Sequence, residues 1–190
     1  MSVNEISKYL RNKKDEIPDA ELLTIIDRVL IHEKNELLNE RKEVIKQVLI
    51  SKLNYIVRKS YKSSELLGFK VKVGDICYVD FGNSYITEAG YQHFGLVIAY
   101  FNSKALMIPM SSNSQMYKQS YCQYTFPQGK KHLFRLGAVE SLYKESVLFL
   151  NDAKFINTAR IIEVKSSIPK DGQLFKDILE RYLGIVTEHK

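Results

Sequence analysis

The distribution of glycine divides this sequence into two parts. No glycine occurs before Gly68, and the rest of the chain contains all 9 of them. Glycine disfavours helix interiors and is common in turns. A long stretch without it favours helix, and the later part favours strands joined by turns. The sequence therefore predicts a helical region over residues 1–66 and a strand-rich region over residues 67–190.

Apolar residues of the first region recur at helical spacing. Pro18 and Asp19 indicate a helix start, with Asp19 as the N-cap. Two apolar stripes follow, Leu22, Leu23, Ile25, Ile26, Val29 and Leu30, and then Leu38, Ile45, Val48, Leu49, Leu53 and Ile56. Residues 1–69 contain 13 Lys or Arg and 11 Asp or Glu, which argues against a nucleic-acid-binding arm. We expect a helical hairpin that packs on the second region, on a second copy or on a partner helix, with a dimerisation or regulatory role.

Short runs of β-branched and aromatic residues make up the second region. The runs are VKVGDICYVDFG, FGLVIAYF, ALMIPM, YCQYTFP, HLFRL, SVLFLN and ARIIEV. Turn signals at Gly82-Asn83, Asn102-Ser103 and Pro127-Gln128-Gly129 separate several of them. Short strands at close spacing predict a small, strongly bent sheet or open barrel. An amphipathic stripe after Pro169 predicts a final helix, so the fold class is α+β.

Acidic residues are missing from one long window of a basic chain. The net charge is +6, yet no Asp or Glu lies between Ala89 and Val139, where an even spread would place about six. The cations and histidines there are Lys104, Lys118, Lys130, Lys131, Arg135, His93 and His132, and nine aromatic residues accompany them. Such a surface suits the phosphates and stacked bases of a single-stranded nucleic acid. The alternative is that most of the rings belong to the core.

Composition also argues against several classes of protein. No apolar run of about 18 residues occurs, so no membrane-spanning helix is expected. The first residues lack the apolar segment of a signal peptide, and Cys77 and Cys122 have no CxxC spacing, which favours a reducing cytoplasm. No cluster of carboxylate, His or Cys residues has metal-ligand spacing. We therefore expect neither a metal nor another cofactor.

Four stretches resemble segments of one known family, in the same order. They are VGDICYVDFG, EAGYQHFGLVIA, IPMSS and LYKESVLFLNDAKFINTARI. From Val73 onward the chain resembles the MazF/PemK toxins, which are small SH3-like barrels with a C-terminal helix that cut RNA. It also resembles the related ToxN/AbiQ toxins, which an RNA antitoxin inhibits. The resemblance implies an SH3-like, MazF-type β-barrel with a C-terminal helix, a homodimer, a protein or RNA antitoxin, and a cytoplasmic location.

The resemblance further implies a catalytic site. The family's catalytic arginine falls on His93 and the proline after it falls on Phe94. The family's catalytic threonine or serine falls on Ser111, with Ser112 beside it. A guanidinium stays protonated and mainly stabilises charge on a phosphorane. An imidazole, which titrates at about pH 6.5, can take or give a proton.

These residue types suffice for RNA cleavage without a metal. His93 could accept the proton of a ribose 2′-hydroxyl, and the hydroxyl groups of Ser111 and Ser112 could donate to phosphate oxygens. The expected RNA-binding residues are Tyr91, Gln92, Lys118, Lys130, Lys131, His132 and Arg135. The predicted activity is that of an endoribonuclease for single-stranded RNA in a toxin–antitoxin system.

Three alternatives stay open at the level of sequence. His93 could be structural and the serine pair an ordinary turn. Replacement of the family's arginine could mark an inactive barrel that binds RNA or protein without cutting. Residues 1–66 could also be the functional part, for example as a built-in segment that blocks the RNA groove.

Overall fold

The structure, a computed structural model, describes residues 2–122, 124–137 and 139–187. The chain forms two compact units, Met1–Gln47 and Val48–Lys190. The helices predicted for residues 1–66 are present. The strands all lie in the second unit. The functional boundary placed between residues 66 and 67 remains a prediction.

The first unit contains helices α1 (Val3–Asn12) and α2 (Asp19–Leu38) and the start of α3 (Lys42–Arg58). Ser2 and Glu5 form a capping box at the start of α1, which satisfies backbone N–H groups that a helix leaves unpaired. The Tyr9 hydroxyl donates to the Glu21 carboxylate at 2.6 Å and joins α1 to α2. The residue preceding α2 is Pro18, so the N-cap lies one position before the predicted Asp19.

The second unit contains eight strands and two further helices among its described residues. The strands are β1 (Asp75–Asp80), β2 (Gln92–Phe101), β3 (Lys104–Ser111), β4 (Ser120–Tyr121), β5 (Lys130–Gly137), β6 (Ser146–Phe149), β7 (Lys154–Asn157) and β8 (Ile161–Ser167). The helices are α4 (Ser114–Gln119) and α5 (Gln173–Thr187). No helix in the described part of the chain is both long and apolar enough to cross a bilayer.

Five of the strands close into a small barrel. β3 pairs with β2, β2 with β1, and β1 with β8, all antiparallel. β7 pairs with the first half of β3 and continues into β8 through the 3-10 turn Thr158–Arg160, which completes the circuit. The second half of β3 pairs with β6, which extends the sheet to β5 and β4. The α+β fold, with a barrel of SH3-like connectivity and a C-terminal helix, is confirmed.

Two hydrophobic clusters lie on the two faces of the sheet. Alternation along β1 places Ile76 in one cluster and Cys77 and Val79 in the other, because successive strand residues point to opposite faces. Phe175 and Ile178 of α5 cover the first cluster. The second cluster lies inside the barrel, where β1, β2, β3 and β7 all contribute to it.

One predicted strand is wrong for most of its length. The described residues of the run YCQYTFP contribute only Tyr121 of β4 and an isolated bridge between Cys122 and Phe126. The chain turns here because Arg135 donates to Ser120 and to Thr125, which fixes a compact loop in place of an extended strand. Gln123 lies outside the described residues.

Candidate functional site

The loop between β1 and β2, residues 81–91, is held near its C-terminal end by side chains from a distant segment of the chain. The N–H of Ala89 donates to the Asp152 carboxylate, and its carbonyl accepts from the Lys154 ammonium at 3.2 Å. Asp152 and Lys154 also form an ion pair at 3.2 Å. A Cβ at Gly90 would come within 2.0 Å of the Ser84 hydroxyl, so this position requires glycine.

The C-terminal end of this loop orients the side chain of His93. It is the second residue of β2, half-buried, and its Nδ1 lies 2.7 Å from the Gly90 carbonyl oxygen. A carbonyl can only accept, so Nδ1 carries the proton and the neutral ring holds its lone pair on Nε2. This tautomer makes Nε2 a proton acceptor with a defined orientation.

Ser111 lies at the same end of the β2–β3 ladder as His93. Phe94 pairs with Met110, and His93 and Ser111 are the next residues of the two strands in that direction. The Ser111 hydroxyl accepts from the backbone N–H of Asn113 at 3.2 Å. The two residues that the family resemblance identified as catalytic therefore occupy adjacent positions at one end of the ladder, but His93 does not line the cavity that Ser111 lines.

Ser111 and Ser112 also line a cavity of about 210 Å³. Phe94, Met110 and Leu142 form its apolar side, and Lys144 and Lys165 bring cations to it. Lys165 also pairs with Glu163 at 3.3 Å. Sequence reasoning missed both lysines, because each lies outside the acid-free window and close to a glutamate in the chain. Their only sequence signal was proximity to the apolar run of β6 or β8.

Tyr91 and Gln92, predicted to bind RNA, have structural contacts in the described chain. Tyr91 has a left-handed backbone (φ 52°), and its N–H donates to the Gly82 carbonyl at 2.7 Å. The Gln92 side chain is buried and donates to the Asp80 carboxylate at 3.4 Å. Tyr91 closes the β1–β2 loop and Gln92 fixes the start of β2, so both position His93.

The predicted cations occupy different environments. Lys118, Lys130 and Lys131 are exposed. Arg135 instead donates to Ser120 and Thr125 and lies over the Tyr117 ring, with its guanidinium carbon 5.1 Å from the ring centre. Three exposed lysines near β5 are therefore available to phosphates, whereas Arg135 stabilises the loop that follows α4.

Acidic residues from outside the acid-free window fold against it. The Tyr117 hydroxyl donates to the Glu145 carboxylate at 3.1 Å, and Asp152 accepts from Ala89. Burial, followed by the Glu145 hydrogen bond, raises the pKa of Tyr117. The window is free of acids in sequence and is not free of them in space.

The two cysteines differ in their ionisation. Burial raises the pKa of Cys77, inside the barrel, to about 12. A hydrogen bond from the Thr125 side chain, with backbone N–H donors, lowers the pKa of Cys122 to about 7. At neutral pH the thiolate fraction of Cys122 is therefore larger than that of Cys77.

A buried carboxylate joins three segments of the second unit. Asp80 accepts from the Ser51 hydroxyl at 2.8 Å and from the Asn54 amide at 3.0 Å, both on the part of α3 that belongs to this unit. It also accepts from the Gly82 N–H at 3.1 Å and from the Gln92 amide at 3.4 Å. Asp80 thereby fixes α3, the start of the β1–β2 loop and the start of β2 relative to one another.

The sequence matches no protein-family model and no curated protein. Among solved structures, the chain is similar to MazF (Form-I) from Deinococcus radiodurans, with 12% identity and a TM-score of 0.46 over 63% of this chain and 99% of that chain. It is also similar to MazE-MazF (Form-II) from Deinococcus radiodurans, with 14% identity and a TM-score of 0.39 over 62% of this chain and 93% of that chain.

We expect Asp80→Asn to lower the free energy of unfolding by about 2 kcal/mol, because an amide cannot accept from all four donors and leaves buried groups unpaired. Urea denaturation at neutral pH measures the change. Glu163→Gln, which neutralises an exposed carboxylate on β8, is the matched control and should change stability little. Equal stability of the two variants would contradict the role assigned to Asp80.

The lowered pKa of His132 predicts that the stability of the protein depends on pH. Burial, and then the charge of Lys130, lower the pKa of His132 in the folded protein. The folded state therefore binds fewer protons than the unfolded chain, whose histidines titrate at about pH 6.5. Stability should fall as pH drops below that value and should not depend on His132 above it.

His132→Gln should consequently reduce the loss of unfolding free energy between about pH 7.5 and 5.5. Urea denaturation at the two pH values measures it. His32→Gln, at an exposed histidine of α2, should keep the wild-type loss. An identical loss in wild type and His132→Gln would contradict the inference.

Proposed function

We propose that the protein is an endoribonuclease that cuts single-stranded RNA without a metal, as the toxin of a toxin–antitoxin pair. The observation that carries this proposal is the hydrogen bond from His93 Nδ1 to the Gly90 carbonyl, which leaves the lone pair of the neutral ring on Nε2. A histidine held in one tautomer at the start of one strand, with a serine at the end of the adjacent strand, supplies residue types that phosphodiester transfer requires.

In the proposed reaction, His93 Nε2 takes the proton of a ribose 2′-hydroxyl. The 2′-oxygen bonds to the adjacent phosphorus and the bond from phosphorus to the 5′-oxygen breaks, which yields a 2′,3′-cyclic phosphate. The leaving 5′-oxygen takes a proton from water or from an ammonium group. The hydroxyl groups of Ser111 and Ser112 donate to the phosphate oxygens, and Lys144 and Lys165 lie at the same cavity.

Three further parts of the proposal rest on the sequence resemblance. They are a homodimer, an antitoxin that is either protein or RNA, and a cytoplasmic location. The exposed apolar residues of α2, among them Leu23, Leu30 and Ile31, are compatible with a helix-mediated contact with a second copy or a partner.

A second candidate function is binding of RNA without cleavage. It is favoured by the histidine in place of the family's arginine, because an arginine would supply a permanent positive charge to the phosphorane. Cleavage assays separate the two functions.

We expect wild-type protein to cut a mixture of single-stranded RNAs in EDTA, and His93→Ala to lower the rate by about 100-fold or more, the usual contribution of a general base. Ser111→Ala should lower the rate by about 10-fold, because it removes a donor to the phosphate. His32→Ala and Ser167→Ala, at exposed positions, are the matched controls and should retain the wild-type rate.

The rates are measured with protein in excess over labelled RNA, and the products are separated by gel electrophoresis. Intact RNA with wild-type protein would refute nuclease activity and leave the binding function. Wild-type rates in both His93→Ala and Ser111→Ala would show that cleavage takes place elsewhere on the protein.

A further inference from the structure

A second cavity of the second unit shares no lining residue with the cavity at Ser111 and Ser112 and has a volume of about 390 Å³. Its wall is formed by the last turns of α3, by the start of the β1–β2 loop and by the 3-10 turn between β7 and β8. A volume in this range suits a small ligand or one unit of a polymer.

The cavity is cationic. Lys52, Arg58, Lys59 and Arg160 line it, and Asp80 is the one carboxylate among its described lining residues. That carboxylate already accepts four hydrogen bonds from protein groups and is buried at the cavity wall. The charges of Arg58, Lys59 and Arg160, against one carboxylate whose oxygens already accept four hydrogen bonds, favour an anionic ligand.

The two arginines are held in place by backbone carbonyls. Arg58 Nη1 donates to the Ile161 carbonyl at 3.0 Å and to the Ala159 carbonyl at 3.4 Å. Arg160 Nη1 donates to the Phe81 carbonyl at 3.3 Å and to the Asp80 carbonyl at 3.4 Å. These bonds use one nitrogen of each guanidinium, and a guanidinium has five N–H donors on three nitrogens. The Nη2 and Nε donors of both guanidinium groups therefore remain for a phosphate group.

Aromatic rings accompany the cations. The Tyr55 side chain lines the cavity and is 65% exposed. Tyr61 also lines it, half-buried, with its carbonyl accepting from the Asn157 amide at 3.3 Å. A planar ring beside phosphate-binding cations is the arrangement on which nucleic-acid bases stack. An acidic peptide would use the cations and would have little use for the rings.

We infer that this cavity binds a nucleotide, with its phosphate on Arg58, Arg160 and Lys59 and its base against Tyr55. The source is a free nucleotide or one nucleotide of an RNA strand. Asp80 of the cavity wall also accepts from Gln92, the residue before His93. The inference concerns binding alone, and holds whether or not His93 cuts RNA.

Fluorescence anisotropy with a labelled, fully 2′-O-methylated single-stranded oligoribonucleotide tests it, because that probe cannot be cut through its 2′-oxygen. Lys52→Gln/Lys59→Gln should weaken binding by about 10-fold or more. The slope of log affinity against log salt concentration should also become less negative by about 0.7 to 1.4, which is the contribution of one or two single-strand phosphates. Lys42→Gln/Lys46→Gln removes the same charge from α3 outside the cavity and should stay within about twofold of wild type.

Variants of Tyr55 provide a second test of the same inference. Tyr55→Ala should weaken binding by about 5-fold or more, and Tyr55→Phe should retain it, since stacking needs the ring and not the hydroxyl. Competition by AMP or CMP at millimolar concentration would assign the ligand as a free nucleotide, and lack of competition would assign a nucleotide within a strand. Both results support the cavity as a nucleotide site.

Equal weakening by the two double-lysine variants would overturn the inference, because the effect would then be one of net charge. Binding of polyglutamate that depends on Lys52 and Lys59, with no binding of the oligonucleotide, would also overturn it in favour of an acidic protein. Because the probe cannot be cut, a failed cleavage assay and a failed binding assay remain separate results.

Discussion

The hydrogen bonds of the buried Asp80 carboxylate are the interaction on which the position of the β1–β2 loop depends. Its donors come from α3, from the β1–β2 loop and from the start of β2. A buried carboxylate is stable only when its oxygens are hydrogen-bonded, so each donor is constrained by the others. The same residue forms part of the wall of the cationic cavity and, through Gln92, fixes the strand that carries His93.

A second set of contacts acts on the other end of the β1–β2 loop. Asp152 and Lys154 hold the N–H and the carbonyl of Ala89, and the next carbonyl, of Gly90, accepts from His93. The orientation of the imidazole therefore depends on a segment about 60 residues later in the chain, as well as on its own strand. Gly90 makes this possible because a side chain there would collide with Ser84.

The positions of most strands, though not their pairing order, could be predicted from sequence because the pattern of apolar residues along a strand is a local property. The runs around Ile76, Val97 and Met107 place their apolar residues on defined faces, and the two hydrophobic clusters follow from that pattern. The turn at Asn102-Ser103 was equally local, since asparagine is among the non-glycine residues that most often adopt a left-handed backbone, which occurs here at Asn102 (φ 43°) and Ser103 (φ 65°). The run YCQYTFP was mispredicted as a strand because tertiary contacts of Arg135 with Ser120 and Thr125 fix a loop there.

The candidate site was only partly predictable because its contacts join residues far apart in the chain. His93 and Ser111 lie next to the last pair at one end of the β2–β3 ladder, which motif order could suggest. Glu145 and Asp152, however, fold against a window that contains no acids in sequence. The cavity cations Arg58 and Arg160 lie about 100 residues apart, and near charge balance in the first 69 residues concealed the contribution of α3.

The central claim is that the protein cuts RNA through a 2′-hydroxyl activated by His93. The most direct measurement compares, in EDTA, a single-stranded oligoribonucleotide with the same oligonucleotide carrying one 2′-deoxyribose at the mapped cleavage position. The account predicts cleavage of the first, with a 2′,3′-cyclic phosphate on the product, and none at that position of the second. Equal cleavage of both oligonucleotides at that position would contradict it, because the nucleophile would then not be the 2′-oxygen.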